Sequence, residues 1–489
     1  MAFKQDEDFL RYLTMGAAGT RHAAEHLESL GHRVAELERY STANKLWATK
    51  IKRLRLPDLL CLLCGLRVEA KAKSSLEIKL SHSSVTGREW DAGLRDEDLV
   101  AFVPCVMAGP ELVSVGSPEY YEVDALRRTV DLAQLGPPKA ASQGAERDLK
   151  WPAIVPTRSG TVLSIDPARV TVELAGGRRQ SYANRWPAWT VSVPVGGTFA
   201  GGQRFLAGPV ERPSSLECRG ATWDPARALD APDAMDRYAA VKACGLLGRR
   251  DVLARIVDVA NSGSEDERVR LEAMGALARL EEPGWADRLE EAARDDRLDA
   301  GLALEAVFIL SEIATVATTD ALIVLARDAS LGPDTRSAAV WGLGVTGARR
   351  PESLIDFIGD DDDLVALHAI AAMPADVSDS CLERLAGGLG GDERTGAAAS
   401  EVLLRQGDRG VSYLLEVAIA GGSALPRAIV ALGRAPRATV LRIGGDRIAP
   451  ELRQLLEPLW ADGETNWIRA GTTPYELALL ERQTLSGRT

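Results

Sequence analysis

The sequence predicts a multidomain protein. It reads as an N-terminal α/β domain over 1–150, a small β-barrel-like module over 151–215, a linker over 216–232, an all-α solenoid over 233–445 and a C-terminal cap or tail over 446–489. Three observations carry that reading. A Pro-Asp strand and a Glu-Ala-Lys return strand stand near the N-terminus. Short β-branched runs broken by glycine begin near 151. From about 233 an alanine recurs at a nearly constant step.

In the first domain, Gly19 to Leu30 reads as a helix and Arg33 to Tyr40 as a strand. Asp58 to Cys64 is an apolar run of strand length, Gly65 supplies a turn, and Arg67 to Lys79 alternates as a return strand. Trp90 to Asp98 reads as helix or loop, and Leu99 to Met107 as a buried strand. Folding the hairpin near Cys64-Gly65 brings Asp58 roughly opposite Glu69 or Lys71. Strand side chains alternate faces, so Glu69 and Lys71 point one way and Ala70 the other. Two close carboxylates repel, and a divalent cation relieves that repulsion. Mg²⁺ suits such a site because it is held by one or two carboxylates, water and substrate phosphate. Lys71 then orients the attacking water or stabilises charge building on phosphate.

Pro57, Asp58, Glu69 and Lys71, in this strand order, resemble the PD-(D/E)XK nuclease superfamily, which includes restriction endonucleases and archaeal Holliday-junction resolvases. The resemblance covers about the first 125 residues and implies a restriction-endonuclease-like fold that hydrolyses DNA with Mg²⁺ or Mn²⁺. It places Asp58, Glu69 and the Ala70 carbonyl on the metal and Lys71 beside the phosphate. Many members carry a further acid on the first helix. Here Glu25 is the first choice and Glu28 the second, whereas resolvase-like members place theirs earlier, where this chain has Thr20 and His22.

His22-Ala23-Ala24-Glu25-His26 also spells the inverted zinc-protease string, with histidines four apart on one helical face. Neither a third ligand nor a peptidase body follows it. The six cysteines (61, 64, 105, 218, 244, 381) show no disulfide framework, which suits a reducing cytoplasm. Cys61 and Cys64 form a C-x-x-C with no second pair at zinc spacing, and read as buried thiols. The N-terminus lacks a secretory hydrophobic region, and no apolar run reaches the roughly 20 residues that span a bilayer.

Net charge is −12, unusual for a protein that holds nucleic acid. The basic run Lys50, Lys52, Arg53, Arg55 stands directly before Pro57, and Lys73 follows the motif; these are the candidate phosphate contacts. Lysine occurs at 4, 45, 50, 52, 71, 73, 79, 139, 150 and 242, so the first domain holds nearly all of it. Arginine cannot stand in for a compact, titratable charge. The acidic excess falls in the C-terminal half, as at Asp360 to Asp363.

The runs TVLSI, RVTVEL and WTVSVPV, with a Gly176-Gly177 turn, predict a small SH3-like barrel or sandwich. Trp186 and Trp189 offer either core or a binding face. Beyond it the anchors Ala240, Ala273, Ala306, Ala339, Ala369, Ala399 and Ala428 step by 33, 33, 33, 30, 30 and 29. Apolar residues three and four positions on complete a buried helical stripe, and two helices per unit stack into an α-solenoid. The units resemble short HEAT repeats.

The combined reading is a metal-dependent DNA endonuclease whose HEAT-like array recruits substrate or a protein partner on its acidic surface. By analogy, such fusions fit bacterial defence or DNA processing. RNA stays open as substrate, because no motif residue reads the 2′-hydroxyl. Cutting both strands takes two sites, which favours a homodimer. The alternative is a solenoid scaffold whose nuclease-like domain binds without cutting.

Overall fold

The computed structural model describes residues 7–37, 47, 49, 51, 54–108, 111–114, 116–139, 145–313, 315–345 and 350–461. The chain forms two compact units. The first comprises residues 11–43 and 52–256, and the second residues 1–10, 44–51 and 257–489.

The first unit is mixed α/β. Helix α1 (Glu7–Ser29) starts earlier than the sequence suggests and is capped by Gly31. There the Gly31 N–H donates to the Glu28 carbonyl and the His32 N–H to the Leu27 carbonyl, with Gly31 at φ +85°. This left-handed C-cap satisfies the last carbonyls and fixes where His32 leaves the helix. The main sheet holds β1 (Val34–Glu36), β2 (Leu59–Cys61), β3 (Arg67–Lys73), β5 (Leu99–Ala108), β6 (Glu111–Ser114) and β7 (Glu119–Glu122). β1, β2 and β3 pair antiparallel, β3 and β5 run parallel, and β6 and β7 pair antiparallel with opposite halves of β5.

Both faces of this sheet are covered, which explains the unbroken apolar run in β5. Ala23 and Leu27 of α1 pack on Val68, Leu99 and Ala101. A Cβ added at Gly19 would lie 2.7 Å from the Ala72 Cβ, so only glycine lets α1 lie this close to β3. On the other face Val100 and Phe102 join Tyr121, Leu126, Trp151 and Phe205. The predicted return strand stops at Lys73. Lys79 begins β4 (Lys79–His82), which lies in a separate three-stranded sheet with β8 (Gln134–Pro138) and β9 (Arg147–Lys150). Helix α2 (Val123–Arg128) follows β7 and accepts the Trp151 indole N–H at the Leu126 carbonyl, 3.1 Å.

The barrel expected over 151–215 is not closed. β10 (Gly160–Asp166), β11 (Arg169–Leu174), β12 (Arg178–Ala183) and β14 (Thr198–Phe199) make an open antiparallel sheet, while β13 (Thr190–Val191) and β15 (Ala207–Gly208) form a separate ribbon. Prolines and glycines after residue 186 hold the later strands to two residues each, too short to complete a ring. The Gly176-Gly177 turn is present, with both residues at positive φ. Trp189 packs against the Val162, Val170 and Val172 core.

The segment 216–232, expected as a linker, runs as a strap bonded to the first unit: the Cys218 N–H donates to the Leu30 carbonyl (3.1 Å) and the Trp223 N–H to the Leu63 carbonyl (3.1 Å). Just before it the Arg212 guanidinium bonds Glu119. Helices Pro225–Ala228 and Ala234–Leu246 close the unit, and Asp236 in the latter bonds Arg67 at 3.1 Å.

The second unit is an all-helical array of paired antiparallel helices, from Glu267–Arg279 with Trp285–Arg294 through Arg437–Gly444 to a last helix, Pro450–Ala461. Ala273, Ala306, Ala339, Ala369, Ala399 and Ala428 are fully buried, as the recurring stripe requires. A second repeat lies seven residues before an anchor. Asp266, Asp299, Asp362 and Asp392 each cap a helix N-terminus with a carboxylate that accepts backbone N–H groups. Trp47 belongs to this unit. It is buried against Phe308, Trp341 and His368, and its indole N–H donates to Ser337 Oγ at 3.0 Å. Among the described residues no helix is long and apolar enough to cross a membrane.

Candidate functional site

The β2–β3 hairpin sets the register of the acidic residues. Leu59 pairs with Val68 and Leu60 with Arg67. Continuing that register by one residue puts Asp58 opposite Glu69. The Asp58 Oδ2 accepts the Ala70 backbone N–H at 2.8 Å, which ties the end of one strand to the middle of the other. Lys71 bonds Glu69 Oε1 directly. The Glu69 and Lys71 side chains are 20% and 36% exposed, so the group is reachable from solvent yet partly desolvated.

In the ladder Glu69 lies beside Val100 and Lys71 beside Phe102, whereas Val68, Ala70 and Ala72 face α1. The alternation predicted for Glu-Ala-Lys is present. It also decides the place of Glu25. Helix α1 covers the opposite face of β3, and Glu25 is 62% exposed with His22 at 3.8 Å. The structure does not gather Glu25 with Asp58 and Glu69. His22 and His26 diverge too: His22 Nε2 meets the Gly116 carbonyl, and His26 Nδ1 meets the Tyr120 hydroxyl. Burial and the nearby His22 lower the His26 pKa.

The basic residues split. Lys50, Lys52 and Arg53 lie outside the described residues. Arg55 is exposed, in a left-handed backbone conformation (φ +59°) two residues before Pro57. Lys73 is turned inward, donating to the Lys79 carbonyl at 2.6 Å with its ammonium 5.7 Å from the Phe102 ring centre. Burial, then the Lys79 and Lys71 charges, bring its pKa down to about 8.

β3 is anchored at its start by a buried ion group. Arg67 donates to Asp98 through Nε (2.9 Å) and Nη2, to Asp236 through Nη1 (3.1 Å) and to the Gly93 carbonyl through Nη2 (3.1 Å). Sequence reading passed over this group, because its members are 31 and 169 residues apart.

Cys61 is buried, as expected, whereas Cys64 is only partly so, and the two do not stand alone. His32, Cys61, Cys64 and Cys218 bring their donor atoms within 4.8 Å of one another, the one such group of three or more among the described residues. Cys61 Sγ lies 3.9 Å from Cys218 Sγ, and Cys64 Sγ 3.7 Å from His32 Nδ1. Burial opposes ionisation of Cys61, but the Cys64 and Leu63 N–H groups and His32 outweigh it and bring the thiol to about 7. Burial and the neighbouring thiols push Cys64 up to about 11. The sequence signal was the C-x-x-C followed by glycine; the partners lie 32 and 157 residues away.

In the array, ion pairs between neighbouring repeats absorb much of the charge. Arg294 bonds Asp328, Arg336 bonds Asp360, Arg409 bonds Asp379 (2.6 Å) and Arg442 bonds Asp408 (2.7 Å). The acidic run 360–363 is used the same way: Asp362 caps a helix and Asp363 pairs with Arg394 at 2.8 Å.

A family model of HEAT repeats matches residues 226–301. No curated protein matches the chain. Among solved structures, the complex of CpcE and CpcF of phycocyanin lyase from Nostoc sp. PCC7120 is similar over 51% of this chain and 98% of that chain, at 18% identity and TM-score 0.24. Human deoxyhypusine hydroxylase in complex with glycerol is similar over 50% of this chain and 85% of that one (16% identity, TM-score 0.18). An engineered protein is similar over 54% and 96% (14% identity, TM-score 0.17).

Proposed function

We propose that Asp58, Glu69 and Lys71 form the active site of a metal-dependent nuclease that hydrolyses phosphodiester bonds in DNA. The observation that carries the reading is the hairpin register, which sets the Asp58 carboxylate opposite Glu69 and ties it to the Ala70 N–H. Three antiparallel strands followed by a parallel fourth, with α1 on one face, support it. The donor set is hard oxygen from Asp58, Glu69 and the Ala70 carbonyl, which suits Mg²⁺ or Mn²⁺. When bound, that ion supplies charge stabilisation at the phosphate and a more acidic water. Lys71 holds Glu69 in place and presents a positive charge on the same face.

The HEAT repeats serve a separate role. Arginines locked to the acids of a neighbouring repeat are already committed, so the array favours a protein partner over a phosphate backbone. An array that docks a protein, joined to a nuclease-like domain that binds without cutting, is the second reading, and the position of Glu25 away from the acidic pair favours it. The test is incubation of the full chain with linear, supercoiled and single-stranded DNA and with RNA, in Mg²⁺, Mn²⁺ or EDTA. Metal-dependent cleavage of a DNA form that is lost in Glu69→Gln supports the nuclease. Intact polymer throughout, from protein that binds Mn²⁺, supports the scaffold.

A further inference from the structure

We propose that His32, Cys61, Cys64 and Cys218 bind one zinc ion in a closed, structural, four-ligand site within the first unit. Zinc–sulfur bonds of about 2.3 Å and zinc–nitrogen bonds of about 2.05 Å at the tetrahedral angle set S···S near 3.8 Å and S···N near 3.6 Å. The separations here are 3.9 Å for Cys61–Cys218 and 3.7 Å for Cys64–His32. Two opposite edges of a zinc-sized tetrahedron are therefore already in place, and all four donor atoms lie within 4.8 Å of one another.

The surroundings are those of a built site. His32 is 6% exposed, and its Nε2–H donates to the Leu216 carbonyl at 2.8 Å. That bond fixes the tautomer and leaves the Nδ1 lone pair facing the sulfurs, the outer-shell arrangement metal-binding histidines use. Cys61-Leu62-Leu63-Cys64-Gly65 folds as a tight knuckle in which the Gly65 N–H donates to the Cys61 carbonyl at 2.9 Å, with Gly65 at φ +74°. A Cys₃His donor set selects zinc over the hard cations that suit Asp58 and Glu69. An open cleft lined by His32, Cys64, Leu66 and Leu216 gives the ion a way in.

With four protein ligands the ion has no open position and performs no hydrolysis. Its effect is mechanical. It joins the end of α1, the β2–β3 turn and the strap. Cys61 is three residues from Asp58, so the zinc braces the hairpin that carries the acidic pair. The inference stands whether or not that pair cuts a phosphodiester.

The test is metal analysis of the full chain purified without chelator, with cobalt substitution as the spectroscopic probe. Expected are one zinc per chain and the intense visible bands of tetrahedral cobalt–thiolate. Cys218→Ser and His32→Gln should weaken zinc binding by more than the roughly 10–100-fold that losing an outer-shell partner costs. Cys105→Ser, a buried cysteine outside the group, should keep full occupancy. If Cys218→Ser does not fold, mercurial titration of wild type replaces it, and zinc should leave as the cluster thiols react. Folded wild type that neither carries nor takes up zinc overturns the proposal, as does full zinc affinity in both variants or zinc retained after all thiols are blocked.

Discussion

Arg67 offers a quantitative test of how the first unit holds its hairpin. The side chain is 4% exposed and its partner Asp98 1% exposed. Arg67→Met removes three sets of bonds at once, to Asp98, Asp236 and the Gly93 carbonyl. Asp98 is then left buried and charged, still accepting the Arg95 backbone N–H at 2.7 Å. Breaking a buried pair from one side costs about 3–5 kcal/mol. The penalty comes mainly from the orphaned charge, so a second change, Asp98→Asn, should return about 2 kcal/mol of it, a coupling of the size seen between groups in contact. Hydrogen exchange at the β3 and β5 amides reads the opening free energy of this unit by itself. A loss below about 1 kcal/mol in Arg67→Met, or an Asp98→Asn change that adds to the loss, would refute the reasoning.

Further outcomes follow from the same geometry. Trp47→Ala should destabilise the helical unit by about 3–5 kcal/mol, because it empties a fully enclosed aromatic site among Phe308, Trp341 and His368. Denaturant unfolding followed by exchange at residues 300–312 checks this, and an unchanged opening energy there contradicts it. The Lys73 pKa of about 8, below its ordinary value of 10.5, makes the first unit gain stability as pH rises between those values. The unfolded chain still holds the proton there and the folded chain does not. Below pH 8 both hold it and the strain is fully present. Lys73→Met should remove roughly 3 kcal/mol of this pH dependence, measured as the wild-type-minus-variant difference in unfolding free energy across that range; parallel curves would contradict it.

Local periodicity made part of this molecule readable in advance. Asp58 opposite Glu69 or Lys71, and Ala70 away from Lys71, follow from strand alternation and one glycine turn; the observed register selects Glu69. The buried alanines follow from a repeat that any helical stripe must keep. What escaped depends on distance along the chain. Cys218 reaches Cys61 across 157 residues, and His32 meets the Leu216 carbonyl across 184. No spacing rule links such segments before the strap is placed. The barrel was misread because alternating valines report a half-buried strand without reporting whether the last strand closes on the first. Glu25 was misplaced because helical periodicity tells which residues share a face, but not which face of the sheet the helix covers. The capping aspartates at 266, 299, 362 and 392 form a second repeat, seven residues before their anchors, that apolar periodicity does not report.

The most direct test of the central claim compares wild type with Lys71→Ala in a single-turnover DNA cleavage assay, each with Mg²⁺, Mn²⁺ or EDTA and each shown to be folded. The account predicts metal-dependent cleavage by wild type and a loss of at least about 100-fold in Lys71→Ala, the size expected when a charge aimed at the developing phosphate is removed. Equal cleavage by the two proteins, or none by metal-loaded wild type on any DNA form, would contradict it.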